Sequence, residues 1–219
     1  FSPAADWVAF GNRVGGVSVL NLAGTSLDVW ATAQLPGDTA NVPVPVRAIT
    51  FDRDGRTLFV AGRAGAICRW ELGESRLTPL TPIRYDNVRP AASLALNPTG
   101  DELVAGLLSR RILRWRVQGD SFTPLPEIAG FGSNVTDVGF SPDGKQLLAA
   151  SDDHGTYLFD AGTGTQQARL TGPHAVSSVG LASGGQVVAA DSGGDLRVWP
   201  SQDPLLRGDA GAGQRFATD

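Results

Sequence analysis

Side chains able to do chemistry are few in this sequence, and most sit in short turns. Asp152-Asp153-His154 is the one place where acids adjoin an imidazole. Such groups can hold a metal ion, but three adjacent turn residues rarely all aim at one ion, and no second cluster is visible. Ordinary turn chemistry accounts for the trio better. Cys68 is the single cysteine, so no intrachain disulfide forms and a reducing cytosol is acceptable. There is no Gly-x-Ser-x-Gly elbow, no Walker loop, no His-Glu-x-x-His and no paired cysteine. The densest basic run is Arg110-Arg111-Ile112-Leu113-Arg114-Trp115-Arg116. Arg114 and Arg116 read as partners for acids on a neighbouring unit, with a phosphate or RNA contact as the alternative. Asn134-Val135-Thr136 matches a glycosylation sequon, and Arg207-Gly208-Asp209 is most simply chance.

The charged turn residues are ordered along the chain. Arg13, Arg63 and Arg110-Arg111 lie in three successive turns, Asp152, Asp153 and His154 in the next, and Asp191 in the last. The turns are therefore basic three times and acidic twice. A bipolar rim of this kind would steer a partner and fix its orientation more than it would add affinity. The competing reading is that these are solvated turn residues.

The elements that carry those turns repeat. Residues 140–164 read FSPDGKQLLAASDDHGTYLFDAGTG, three short strands joined by tight turns. Proline pre-sets the first turn, and Asp-Gly supplies the positive φ that a reversal needs. The opening apolar residue recurs at Phe1, Phe51, Leu96, Phe140 and Leu181, in steps of 50, 45, 44 and 41. A bulky residue late in the third run recurs at Leu20, Trp70, Trp115, Phe159 and Trp199, in steps of 50, 45, 44 and 40. Two landmarks keep one period. A unit of about 40–45 residues with four strands is a propeller blade. The bulky column is then expected to pack between blades rather than to hold a ligand.

The unit resembles the WD40 repeat: an FSPDG-like turn, a small-residue strand (LLAAS, LFVAG, VVAAD), a polar hairpin turn, and a strand ending in Trp and usually Asp. No copy has a literal Trp-Asp; the fourth keeps FSPDG and ends Phe159-Asp160. The resemblance implies an all-β, WD40-like β-propeller with five four-stranded blades, approximately 1–40, 41–85, 86–130, 131–172 and 173–207. Residues 208–219, rich in Gly and Ala and polar, read as a disordered tail. Leu205-Leu206 is the candidate outer strand of the fifth blade. The buried His, Ser/Thr, Asp and Trp set of the family is eroded here. His174 precedes blade five, but the Asp position falls on Gly193, with Asp191 and Asp195 off register. Blade four has Asp152 and Asp153 but no His in the loop before it.

The resemblance also implies function. WD40 propellers usually close with about seven blades, so two more are expected upstream, and the sequence is expected to be the C-terminal part of a longer chain. It contains no Met, and its first copy lacks a first strand. A non-catalytic protein-interaction or scaffold module is expected, with no cofactor or metal. An upstream STAND-type ATPase or Ser/Thr kinase domain is what bacterial propellers of this kind often carry. The alternative from another class is a propeller hydrolase or lactonase with its site in the central channel, which would need inward His, Asp or Glu. Lys145 is the only lysine against 17 arginines, the bias of a GC-rich, actinobacterial-like bacterial genome. A net charge of −4 argues against nucleic acid as partner. No apolar run approaches 18 residues, so no helical span is expected and the cytoplasm is the expected location.

Overall fold

The structure is a computed structural model. It describes residues 1–22, 29–35, 44–62, 65–73, 76–85, 89–182, 185–200 and 214–217, with 29–32 and 214–217 described by backbone alone. Among these residues there is no helix. The first sheet has three strands, β1 (Trp7–Gly11), β2 (Gly16–Asn21) and β3 (Val29–Gln34). The second holds β4 (Ala48–Phe51), β5 (Thr57–Ala61), β6 (Ala66–Leu72) and β7 (Leu77–Arg84). The third holds β8 (Ala91–Leu96), β9 (Glu102–Leu107), β10 (Arg111–Gln118) and β11 (Ser121–Ala129). The fourth holds β12 (Val135–Phe140), β13 (Gln146–Ser151), β14 (Gly155–Asp160) and β15 (Gln166–Thr171). The fifth holds β16 (Val176–Leu181), β17 (Val187–Asp191), β18 (Asp195–Trp199) and β19 (Gln214–Ala217). In every sheet consecutive strands are neighbours. The fold is therefore all-β, built of four-stranded antiparallel meanders of the propeller-blade kind, with the first sheet one strand short.

The turn between the first two strands of each copy is set by the sequence. Gly144 sits at φ +71° and donates its N–H to the Ser141 carbonyl at 2.9 Å. Ser141 Oγ accepts the Gln146 N–H at 2.9 Å and donates to Asp143 at 2.6 Å. The same closure recurs from Gly55 to Asp52 and from Gly100 to Asn97. In the first copy Ala5 takes the glycine's place at φ +58°, a backbone region that disfavours a side chain.

The chain falls into two compact units, Phe1–Leu96 and Asn97–Asp219. In the first, Val17 and Val19 of β2 pack with Leu58, Val60 and Trp70 of the next sheet. In the second, Leu148, Ala150 and Leu158 of the fourth sheet pack with Val176, Val187, Ala189 and Trp199 of the fifth. Trp70, Trp115, Phe159 and Trp199 are all buried. These four members of the bulky column pack the core, while Leu20 of the first copy is half-buried.

Polar bonds reinforce the stacking of the fourth and fifth sheets. Thr136 Oγ1 donates to the Val176 carbonyl at 2.6 Å. Asp137 Oδ2 accepts from Ser178 Oγ at 2.9 Å and from the Val179 N–H at 3.0 Å. Removing this carboxylate strands a backbone donor between sheets. Asp137→Ala is expected to lower stability by about 1–3 kcal/mol, read as a fall in urea midpoint with unchanged m.

Two expectations need correction. The tail is not disordered throughout. Gln214–Ala217 forms β19 and pairs with β18 in the register Asp195↔Ala217, Leu196↔Phe216, Arg197↔Arg215 and Val198↔Gln214. Its four residues are too short to show a period against a Gly- and Ala-rich flank. Leu205-Leu206 lies outside the described residues. Nor does Arg114 reach an acid on a neighbouring blade. It is buried and pairs with Glu102 of its own sheet, Nε to Oε1 at 2.7 Å, while its Nη2 donates to the Ala161 carbonyl of the next sheet. Arg116 pairs with Asp101 at 3.8 Å on the surface.

Candidate functional site

In each copy the hairpin between the second and third strands lies at one end of its sheet. The residue just before the third strand has positive φ every time: Gly15 (+85°), Gly65 (+62°), Arg110 (+64°), His154 (+68°) and Gly194 (+87°). Three copies meet this demand with glycine. Two place a long side chain there, and both Arg110 and His154 are exposed. A non-glycine residue at such an angle costs on the order of 1 kcal/mol.

The structure separates the candidate rim residues. Arg13 is exposed in the first hairpin, beside Val14, which is 57 % exposed. Asn12 Oδ1 shapes that turn by accepting the N–H groups of Val14 at 3.0 Å and Gly16 at 2.8 Å. Arg63 lies outside the described residues. Arg111 is exposed and paired with Glu127 at 3.1 Å, a surface pair worth ~0–1 kcal/mol. Asp152 is half-buried and accepts from Asn134 Nδ2 at 3.0 Å.

Asp153 and Asp191 are engaged in hydrogen bonds within the fold. Asp153 Oδ2 accepts from the Gly132 N–H at 2.6 Å and from the Tyr157 hydroxyl at 2.8 Å, and Oδ1 accepts from the Gly155 N–H at 3.0 Å. Arg169 stands 3.5 Å from Oδ1 and lies over the Tyr157 ring at 5.3 Å. Burial alone would raise this carboxyl. The Tyr157 and Gly132 hydrogen bonds, with the Arg169 charge and the Gly155 N–H, overcome burial and hold it below the usual carboxylate value. Burial, then Asp153 as bond partner and as charge, pushes the Tyr157 phenol up to about 12. The Gly132 N–H thus ties the loop before this sheet to the hairpin turn. Phe131 adds an edge contact to Tyr157 at 4.7 Å.

Asp191 is buried, and its Oδ1 accepts from the N–H groups of Gly193 at 2.9 Å and Asp195 at 3.1 Å. Its Oδ2 faces Arg197 at 3.7 Å, which also lies 3.5 Å from Asp195. His174 rests against Gly193: a Cβ added there would lie 2.2 Å from the imidazole Cδ2. The indole nitrogen of Trp199 has no hydrogen-bond partner among the described residues. The buried polar set of this blade is therefore rebuilt around Arg197.

Sequence reading missed Tyr157, Arg169 and Arg197, because which acids they meet is set by how the hairpins bring turns and strands together. The positive-φ position had a visible signal: Gly15, Gly65 and Gly194 align with Arg110 and His154. Among the described residues no group of three or more His, Cys, Asp or Glu side chains is arranged to hold a metal, and no helix is long and apolar enough to cross a membrane.

Comparison with known proteins agrees with the repeat reading. Residues 122–160 match the WD40 family, described as "WD domain, G-beta repeat". The match runs from the outer strand β11 into the third strand of the next sheet, β14. The chain is 41 % identical over 71 residues to the human protein Atg16l2, covering 31 % of this chain and 12 % of that protein. It is 25 % identical over 115 residues to the Drosophila melanogaster protein LST8 homolog, covering 52 % of this chain and 35 % of that protein. The chain thus spans about an eighth and about a third of these two relatives.

Proposed function

We propose that this chain, with a WD-type repeat at 122–160 inside a run of blade-like sheets, is a protein-interaction scaffold. Its partner is held on the hairpin rim that carries Arg110 and His154. The observation that carries this reading is the exposed, strained pair at a position that three other copies give to glycine. Arg111 and Asp152 adjoin these two hairpins, and Arg13 and Arg63 belong to the same series by sequence. No cofactor or metal enters the reading, and the module is non-catalytic.

Finer parts of the proposal rest on resemblance and composition. A seven-bladed closure and a place as the C-terminal sensor or regulatory part of a larger cytoplasmic protein follow the usual WD40 pattern. An upstream STAND-type ATPase or Ser/Thr kinase domain would then be the activity regulated. One lysine against 17 arginines supports a GC-rich bacterial source.

The test separates binding from folding. The double variant R110G/H154G relieves both strained turns and is expected to raise stability by roughly 0.5–1 kcal/mol per site. Capture of the native partner by this variant is expected to fall at least tenfold. Undiminished capture by the better-folded variant would remove the rim from the argument.

A further inference from the structure

Two of the turns between first and second strands carry the same dipeptide, Asp54-Gly55 in the second sheet and Asp143-Gly144 in the fourth. Both glycines stand at positive φ, +68° and +71°, and both aspartates are exposed. Such a step can react with itself. Glycine has no side chain to shield its amide nitrogen, and that nitrogen closes a five-membered ring when it reaches the carboxyl carbon of the aspartate before it. What decides the reaction is how firmly each carboxyl and each amide is held.

The fourth sheet holds both. Ser141 Oγ donates to Asp143 Oδ1 at 2.6 Å, and the Lys145 N–H donates to the same oxygen at 3.1 Å. These two bonds fix the carboxyl and hold it below its ordinary value, so little of the electrophilic neutral acid is present. In the second sheet Asp52 stands where the fourth has Ser141. A carboxylate only accepts and has no O–H to give. Asp52 Oδ1 also takes the Arg56 N–H at 2.7 Å, the counterpart of the Lys145 N–H. Asp54 thus loses both donors, and among the described residues its side chain makes no hydrogen bond or ion pair. Arg53 replaces Pro142, so the ring that fixes φ in the fourth sheet's turn is lost as well. The Gly55 N–H reaches the Asp52 carbonyl at 3.2 Å, against 2.9 Å from Gly144 to Ser141.

We propose that Asp54-Gly55 is a modification site at which the folded chain converts aspartate to isoaspartate, and that Asp143-Gly144 is its protected counterpart. The Gly55 nitrogen attacks Cγ of the neutral Asp54 acid. The N–Cγ bond forms, the bond from Cγ to its hydroxyl breaks, and that hydroxyl leaves with the amide proton as water. Water then opens the cyclic imide. Opening at Cγ restores aspartate. Opening at the α-carbonyl leaves the backbone running through Cγ, longer by one methylene, with a free α-carboxylate that an isoaspartate-repair methyltransferase esterifies. Gly55 is buried, and a Cβ there would lie 3.3 Å from Ser2 Cβ. A lengthened turn therefore presses on the first copy's turn.

The experiment ages the full chain in mildly acidic buffer below its melting temperature. Peptide mapping by mass spectrometry follows the imide, lighter by one water, and enzymatic carboxyl methylation reads the isoaspartate. The Asp54 peptide is expected to react at least tenfold faster than the Asp143 peptide. In urea, where both turns are lost, the two rates are expected to converge. The D52S/R53P variant copies the fourth sheet's turn and is expected to slow the Asp54 reaction at least tenfold, while S141D is expected to speed the Asp143 reaction. Equal rates at the two steps in the folded chain overturn the proposal. So does an unreactive Asp54 in a folded chain whose urea-unfolded form reacts at both steps. An Asp54 rate unchanged in D52S/R53P overturns it as well.

Discussion

Replacing Arg114 by alanine is expected to cost about 3–5 kcal/mol of stability, a large part of the margin of an ordinary domain. Arg114 and Glu102 are both almost fully buried, and their charges meet at 2.7 Å. Removing the guanidinium leaves the carboxylate in the core without its counter-charge and the Ala161 carbonyl without its donor. Glu102→Ala should cost a similar amount, by stranding the arginine. The apolar double variant E102L/R114M should recover most of the loss, since a buried pair replaced by packed hydrocarbon is often neutral. Arg111 and Arg116, which pair with Glu127 and Asp101 at the surface, serve as controls expected to cost under ~1 kcal/mol. Urea unfolding of the five variants checks the series. A loss below ~1 kcal/mol for Arg114→Ala would mean that water reaches Glu102.

Asp153→Ala is expected to cost about 2–4 kcal/mol, because three donors and an arginine lose one acceptor. The Gly132 N–H at 2.6 Å and the Tyr157 hydroxyl at 2.8 Å are the largest losses. The same cluster sets opposite pH limits. The folded Asp153 carboxyl sits below its ordinary value. Its contribution is complete above the unfolded value of about 4 and is lost as pH falls through the folded one. Tyr157 is pushed up to about 12. Its contribution is complete below about pH 10 and disappears as pH rises from there to 12, on the order of 2 kcal/mol in all. Tyr157→Phe should flatten the alkaline limb of a stability–pH curve. A remainder should persist from Tyr85, which burial also raises. In Asp153→Ala the remaining Tyr157 should titrate at lower pH, which absorbance near the phenolate band would follow. An unchanged alkaline limb in Tyr157→Phe would disconnect this hydroxyl from the fold.

The repeated elements were legible because each copy carries its own punctuation. FSPDG at Phe140–Gly144 states a turn through proline and glycine, and the small-residue run after it states a buried strand. The bulky column from Trp70 to Trp199 keeps the same period as those turns, so core positions could be named before any contact was seen. The roles of the charged residues were less legible. Asp152 and Asp153 are adjacent and chemically alike, yet one bonds Asn134 in the loop before the blade while the other holds four groups. Their difference depends on Gly132 and Arg169, which are too far along the chain for local pattern to show, and on which of the two acids the nearby Tyr157 hydroxyl reaches. Arg114 and Arg116 flank one tryptophan and, two residues apart, share a face of the strand, yet the first is buried against the Ala161 turn and the second is exposed beside Asp101. Strand β19 escaped because four residues carry no measurable period, and its partner strand is what makes it a strand.

The bond from Arg114 to the Ala161 carbonyl has a bearing on how such an array is assembled from copies. Gly164, in the same turn as Ala161, leaves so little room that a Cβ there would lie 2.6 Å from Arg114 Nη1. The fourth sheet's turn is cut to receive its predecessor's arginine. The fourth sheet itself offers Leu158 at the place where the third offers Arg114. A tandem duplicate of residues 135–171 would therefore meet leucine where its turn expects a guanidinium, leaving the carbonyl unserved beside an unfilled notch. Shuffled or duplicated genes of this type would keep their hydrophobic stacking yet lose this socket, so each copy is adapted to its position in the row and not only to the repeat.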